Sequence, residues 1–287
     1  LEPIPPPAPH EITRVDTLAR LRAQLAAERR VVLCGMAGIG KTTLASAIAR
    51  ACAKTMPVFW LTLTEGVTTS ADTLIHQLAA FLLANGHDQV KPLVSTDVRA
   101  KSTFTLDRKI ALIGSALAKR PALLCFDNAE LIQRDAAWLQ VVRHLIATTS
   151  ASFLFTSREI LPLTNVAEIT IYGFEYDEGL SFIAQIGPHA LDQAQSERLI
   201  EKTDGSPMLL QLAVGHLRDQ HGDAENLIQH LETQPQVASY LLETVQRRLS
   251  PNAWRLLLLL AVFQQPINLY DEYLDELART LGDIENV

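Results

Sequence analysis

Nine consecutive residues, Gly35-Met36-Ala37-Gly38-Ile39-Gly40-Lys41-Thr42-Thr43, constrain this chain more than any other feature. They fit G-x-x-x-x-G-K-[ST], follow the apolar run 31–34, and open a helical pattern that runs to about residue 53. A strand before and a helix after are the context in which this spacing binds phosphate; a chance glycine-rich turn would have neither. The glycines permit backbone angles that aim successive N–H groups inward at phosphate oxygens. The helix N-terminus adds its partial positive charge. Gly38, Ile39, Gly40, Lys41, Thr42 and Thr43 are therefore the expected nucleotide-binding residues. Lys41 can reach the β- and γ-phosphates, and the Thr42 hydroxyl can ligate Mg²⁺.

Four further short apolar runs read as strands: 58–63, 122–126, 152–156 and 166–171. Helical patterns lie among them over 70–84, 106–119 and 136–147, and one precedes the first strand from residue 16, with Leu18, Leu21 and Leu25 on one face. Strands alternating with helices predict a five-stranded parallel sheet covered on both faces, a three-layer α/β/α core. The weakly periodic stretch 85–105 reads as an irregular insertion. The first nine residues contain five prolines and read as an extended linker, not a packed element.

Beyond residue 172 the strand signal stops, and helices are expected over 176–186, 192–203, 207–218, 223–231, 237–249, 251–263 and 269–281. The expected division is a linker and first helix (1–30), a nucleotide-binding domain (31–172), a helical domain (173–235) and a further domain from 236 to 287. Ser250 and Pro251 form an N-cap and first-turn pair.

Two strand ends carry further chemistry. The run 123–126 delivers Asp127 at its C-terminal end, where open α/β sheets collect ligands, making it the second Mg²⁺ residue. Its bland alternative is a helix N-cap. Glu130 is the candidate to polarise an attacking water, or else a solvated first-turn charge. Arg158 ends the next strand and could neutralise a γ-phosphate, or else form a surface ion pair. Lys41, Asp127, Glu130 and Arg158 are thus the catalytic candidates.

Together these residues resemble the STAND class of P-loop ATPases, of the NB-ARC/AP-ATPase (NLR-like) type found in bacterial signalling regulators. The resemblance rests on the phosphate loop, on Phe59-Trp60-Leu61 as an aromatic second strand, and on the Asp127-Asn128-Ala129-Glu130 strand end. It extends to Thr156-Ser157-Arg158 as a first sensor, and to Gly205-Ser206-Pro207-Met208 as a motif whose Pro207 packs by the nucleotide. Gly205 to Pro207 also read simply as a helix end and a new helix start. Thr13-Arg14-Val15 resembles the family's base-binding lead-in, with Thr13 in place of the usual glycine; Arg14 is otherwise a solvated linker charge.

The resemblance implies that the Arg158 strand lies between the phosphate-loop strand and the Asp127 strand. It implies a helical lid and then a winged helix, of which only the start is present. It further implies an ATP/ADP switch with Mg²⁺ and slow hydrolysis, a monomer with ADP and a homo-oligomer with ATP, with effector and sensor domains outside this chain. The alternatives are a constitutive P-loop ATPase, or the core of a regulator whose DNA-binding domain lies elsewhere.

Charge bears on the last point. The net charge is −7, and from residue 251 onward Arg255 and Arg279 face six carboxylates, so direct nucleic-acid binding is not expected. No apolar run approaches the roughly 20 residues that a membrane helix needs. Three cysteines, Cys34, Cys52 and Cys125, lack metal spacing and read as small buried hydrophobes of a reducing cytoplasm. Trp138 and Trp254 are expected on core-facing helix faces. The start at Leu1, without Met or a secretory signal, reads as a piece of a longer protein.

Overall fold

The computed structural model describes residues 1–94, 104–118, 120–187, 191–220, 224–234 and 236–262. Five strands form one sheet: β1 (Arg30–Cys34), β2 (Val58–Thr62), β3 (Leu123–Asp127), β4 (Ser152–Ser157) and β5 (Ala167–Thr170). Their order is β2-β3-β4-β1-β5, and all four pairings are parallel. The Arg158 strand, β4, lies between β1 and β3, as expected. Parallel strands must be buried on both faces, which explains why β3 is buried at all five positions.

One face is covered by α3 (Ala71–Ala84), α5 (Leu106–Leu117) and α6 (Ala136–Thr148), and the other by α1 (Val15–Glu28) and α2 (Lys41–Cys52). On the first face Phe126 contacts Phe59, Trp138 and Phe155 with ring centroids 5.9, 5.3 and 5.4 Å away. Trp138 is fully buried and Trp254 half-buried. On the second face Leu21, Leu33, Leu44, Ile48 and Trp60 close around β1 and α2. Cys125 is buried there as expected, while Cys34 and Cys52 are half-buried.

Two expectations are corrected in this unit. The stretch after α3 is not wholly irregular: a 3₁₀ turn (Asp88–Val90) leads into α4 (Lys91–Val94). Val90 and Leu93 are buried, so one apolar residue per turn anchors it, too short a run for periodicity to register. The proline-rich start is also packed. Ile4 lies against the second core cluster, Arg50 donates to the Pro5 carbonyl at 2.7 Å, and Arg50 pairs with Glu11 at 3.2 Å. Its partners lie 39 to 60 residues away in sequence, which no local pattern reveals.

The chain divides into two compact units, Leu1–Phe182 and Ile183–Val287, with the division inside α7 (Tyr176–Ile186). Among the described residues helices alone follow α7: α8 (Gln193–Lys202), α9 (Pro207–Gln220), α10 (Ala224–Thr233), α11 (Val237–Arg248) and α12 (Pro251–Val262). Within the second unit α8 packs on α10 and α9 on α11. Asp192 caps α8 through a reciprocal bond with Gln195, and Ser250 accepts from Ala253 N–H at 3.1 Å. The helix expected over 269–281, and with it the remainder of a winged helix, lies outside the described residues.

Candidate nucleotide-binding site

The site forms at the carboxyl ends of β1, β3 and β4. The loop between β1 and α2 has positive φ at Gly38 (73°) and Gly40 (96°), angles that side-chain-bearing residues rarely adopt. Gly35 is needed for space: a Cβ there would sit 2.7 Å from the Ile171 carbonyl oxygen. Gly40 is the N-cap of α2 and has no side chain with which to cap it. The first amides of α2 therefore remain donors for an anion. Ile39 is buried against α2 and fixes the loop on the core.

Lys41 folds back over the loop, its Nζ donating to the Gly35 and Met36 carbonyls at 2.8 Å each. Burial pushes its pKa down, Glu130 opposes that, and Arg158 adds to it. The Thr42 hydroxyl donates to Asp127 Oδ1 at 2.8 Å. Thr156, on the neighbouring strand, donates to the same oxygen, and its own Oγ1 accepts from the Asn128 amide at 3.1 Å. Asp127 is 4% exposed. Burial raises its pKa, and the Thr156 and Thr42 hydroxyls counteract this. A hydroxyl and a carboxylate held together are hard oxygen ligands of the type Mg²⁺ takes. Among the described residues no cluster of three or more His, Cys, Asp or Glu exists, so any Mg²⁺ here would be held mainly by these two groups, water and phosphate.

Glu130 and Arg158 also come together. Glu130 lies in the 3₁₀ segment Ala129–Arg134, entered through Asn128 at φ 58°. Its Oε2 accepts from the Arg158 amide at 3.2 Å, and its Oε1 lies 3.4 Å from Arg158 Nε. The Glu130 side chain is only 15% exposed, which corrects the solvated-charge alternative; that of Arg158 is 62% exposed.

No protein-family profile and no curated protein matches this chain. Solved structures do. A STAND protein with a tetratricopeptide repeat sensor from Pyrococcus horikoshii superposes with a TM-score of 0.60 at 20% identity, over 92% of this chain and 36% of that one. Cdc6p from Pyrobaculum aerophilum gives 0.51 at 12% identity, over 77% and 66% of the respective chains. The α/β fold with its helical extension is shared with these two structures. This chain spans about a third of the STAND protein's length.

Within that P-loop fold, the other expected residues fall as follows. Arg14 is not a solvated linker charge. It is buried, donating from Nε to Glu178 at 3.1 Å and from its two terminal nitrogens to the Tyr172 and Gly173 carbonyls at 3.1 and 2.8 Å, with Phe174 5.5 Å away. It thereby clamps the stretch between β5 and α7. Val15 opens α1 with its side chain 65% exposed. Thr43 is half-buried in the first turn of α2. Pro207 is the first residue of α9, in the second unit. Thr156 was not singled out from sequence as an Asp127 partner. The sheet register decides it: Thr156 stands one step past the Phe126–Phe155 pair and so faces Asp127 across adjacent strands, a pairing no local sequence signal states.

Proposed function

We propose that this P-loop chain is an adenine-nucleotide switch of the STAND, NLR-like type. The observation that carries the reading is the Thr42–Asp127–Thr156 hydrogen-bonded set standing beside an uncapped glycine turn. The turn amides and Lys41 would hold the phosphates. For Lys41 that means leaving the Gly35 and Met36 carbonyls for the β- and γ-phosphates, which are stronger acceptors. Thr42 and Asp127 would hold Mg²⁺, which when bound offsets phosphate charge. Val15 and Pro207 would contact the nucleotide, and Arg14 would act by fixing the Tyr172–Gly173 backbone.

Hydrolysis is expected to be slow. Glu130, which would take the proton from the attacking water, is engaged by Arg158 through two contacts. A γ-phosphate drawing the Arg158 guanidinium away would free Oε1 of that carboxylate, while Oε2 keeps the Arg158 amide. ADP would favour a closed monomer and ATP an assembling form, since a ligand shifts such an equilibrium only by binding the two forms differently. Effector and sensor domains would lie outside this chain, in the cytoplasm. No helix among the described residues is long and apolar enough to cross a membrane.

The test is to denature purified protein and identify the released nucleotide by ion-exchange chromatography. Near-stoichiometric ADP is expected. A chain that carries no nucleotide and binds no added ATP with Mg²⁺ refutes the reading. Rapid steady-state turnover without assembly would favour a constitutive ATPase. Salt-dependent binding to duplex DNA would overturn the expectation that this chain contacts no nucleic acid.

A further inference from the structure

The strand β2 is an edge of the sheet, with β3 on one side only. An edge strand offers unpaired backbone donors and acceptors, and proteins cover or blunt such edges. Here the covering comes from the chain's own first residues. The Glu2 carboxylate takes two hydrogen bonds from one residue of β2, 2.7 Å from the Thr62 amide and 2.6 Å from the Thr62 hydroxyl. Trp60 Nε1 donates to that same hydroxyl oxygen at 3.2 Å, which orients the hydroxyl proton toward Glu2.

Ile4, two residues on, packs against the buried cluster that includes Trp60. Pro5 then presents its carbonyl to Arg50 at 2.7 Å. Beside these contacts lies a cleft of about 360 Å³ lined by residues 1–4 together with Val58, Phe59, Trp60 and Phe81.

Three properties make this more than a tail lying on a surface. The Glu2 bonds are charge-assisted, short, and directed at a backbone donor that the sheet leaves over. Prolines at 3, 5, 6, 7 and 9 pre-extend the segment, so little conformational freedom is lost when it docks. Proline also lacks the N–H needed to continue a ladder, so the segment is read by side chains and not as a sixth strand.

We propose that the open edge of β2 is a peptide-docking groove for an extended segment with a carboxylate two residues before an aliphatic side chain. Residues 1–5 are its resident occupant, docked in cis. Thr62 is the recognition residue, its amide and hydroxyl reading the carboxylate. The Ile4 contact reads the aliphatic position. A covalently attached occupant acts at high effective concentration, on the order of millimolar for short connections, so even weak recognition keeps the groove filled. The proposal rests on contacts outside the phosphate site and stands whether or not the chain binds nucleotide.

Two measurements on the full chain test it, both without nucleotide. The first is hydrogen exchange at the Thr62 amide in wild type and in Glu2→Ala. Loss of a charge-assisted bond to a partly buried donor should speed exchange by roughly 10- to 100-fold. The second is fluorescence anisotropy with a labelled synthetic peptide of residues 1–11. The peptide should displace the weakened resident segment of Glu2→Ala, and should bind wild type at least tenfold more weakly. Glu2→Gln in the peptide, or Thr62→Val added to the Glu2→Ala chain, should abolish that binding.

Unchanged Thr62 exchange in Glu2→Ala overturns the proposal. Faster exchange without peptide binding to Glu2→Ala overturns it too, by showing that the segment docks only because it is tethered. Residue 2 lies outside the helices and strands, so Glu2→Ala should keep the wild-type circular dichroism.

Discussion

Asp127→Asn should make the nucleotide-free chain more stable while removing its Mg²⁺ response. Asp127 is 4% exposed, and burial raises its pKa despite two hydroxyl donors on Oδ1. Desolvating an ion in a protein costs several kcal/mol after relaxation, and each charge-assisted hydrogen bond returns about 1.5–3 kcal/mol. The upward direction of the pKa means that desolvation wins, so the ionised carboxylate destabilises the nucleotide-free fold at neutral pH. A carboxylate whose folded pKa is raised binds its proton more tightly in the folded state. Its cost is therefore present above the folded pKa and disappears as pH falls through that value. Asparagine keeps the shape and can accept from the same hydroxyls without the charge.

The assay is thermal unfolding of both proteins between pH 4 and pH 8, without nucleotide. At about 2–4 °C per kcal/mol for a protein of this size, the relief should be visible as a higher melting temperature of the variant at pH 7, with the gap narrowing toward pH 4. In the same samples, Mg²⁺ should raise ATP affinity for wild type and not for the variant. A variant that melts at or below wild type at pH 7, or a gap independent of pH, refutes the argument that Asp127 is held ionised against its surroundings.

Lys41→Ala should lower ATP affinity by at least about 100-fold, two or more charge-assisted contacts being lost; nucleotide titration checks it. Arg14→Ala should destabilise by about 3–5 kcal/mol, because it strands Glu178 and two carbonyls, and Arg14→Lys should not restore stability, since one ammonium cannot span three acceptors; denaturant unfolding measures it. Arg158→Ala removes an exposed ion pair worth under about 1 kcal/mol, so it should leave melting unchanged while weakening ATP more than ADP in calorimetry. Gly35→Ala should cost about 1–3 kcal/mol by driving a methyl into the Ile171 carbonyl, read by thermal unfolding.

Much of the site was legible because its parts are local. The loop 35–43 is one contiguous run whose glycines, lysine and threonine state their own geometry, and Asp127 ends an apolar strand that can only be central. The partners of Arg14 and the role of Glu2 were not legible. Arg14 was singled out only through a resemblance and Glu2 not at all, and the groups they bond lie 164 and 60 residues away. Glu130 and Arg158 were each picked out, but as separate groups acting on a nucleotide; that they bond to one another depends on the distance between the ends of β3 and β4.

The sequence by itself determined the element types, their alternation, the parallel sheet and the phosphate turn. Each follows from short-range causes: two-residue and 3.6-residue periodicity, glycine backbone freedom, and the need to bury continuous apolar runs. The tertiary structure alone decided which polar groups share an oxygen, which charge is buried, and that the proline-rich start closes the β2 edge. Hydrogen bonding and desolvation act over about 3 Å of space regardless of separation along the chain, so residues distant in sequence acquire their roles only when the sheet order brings them together.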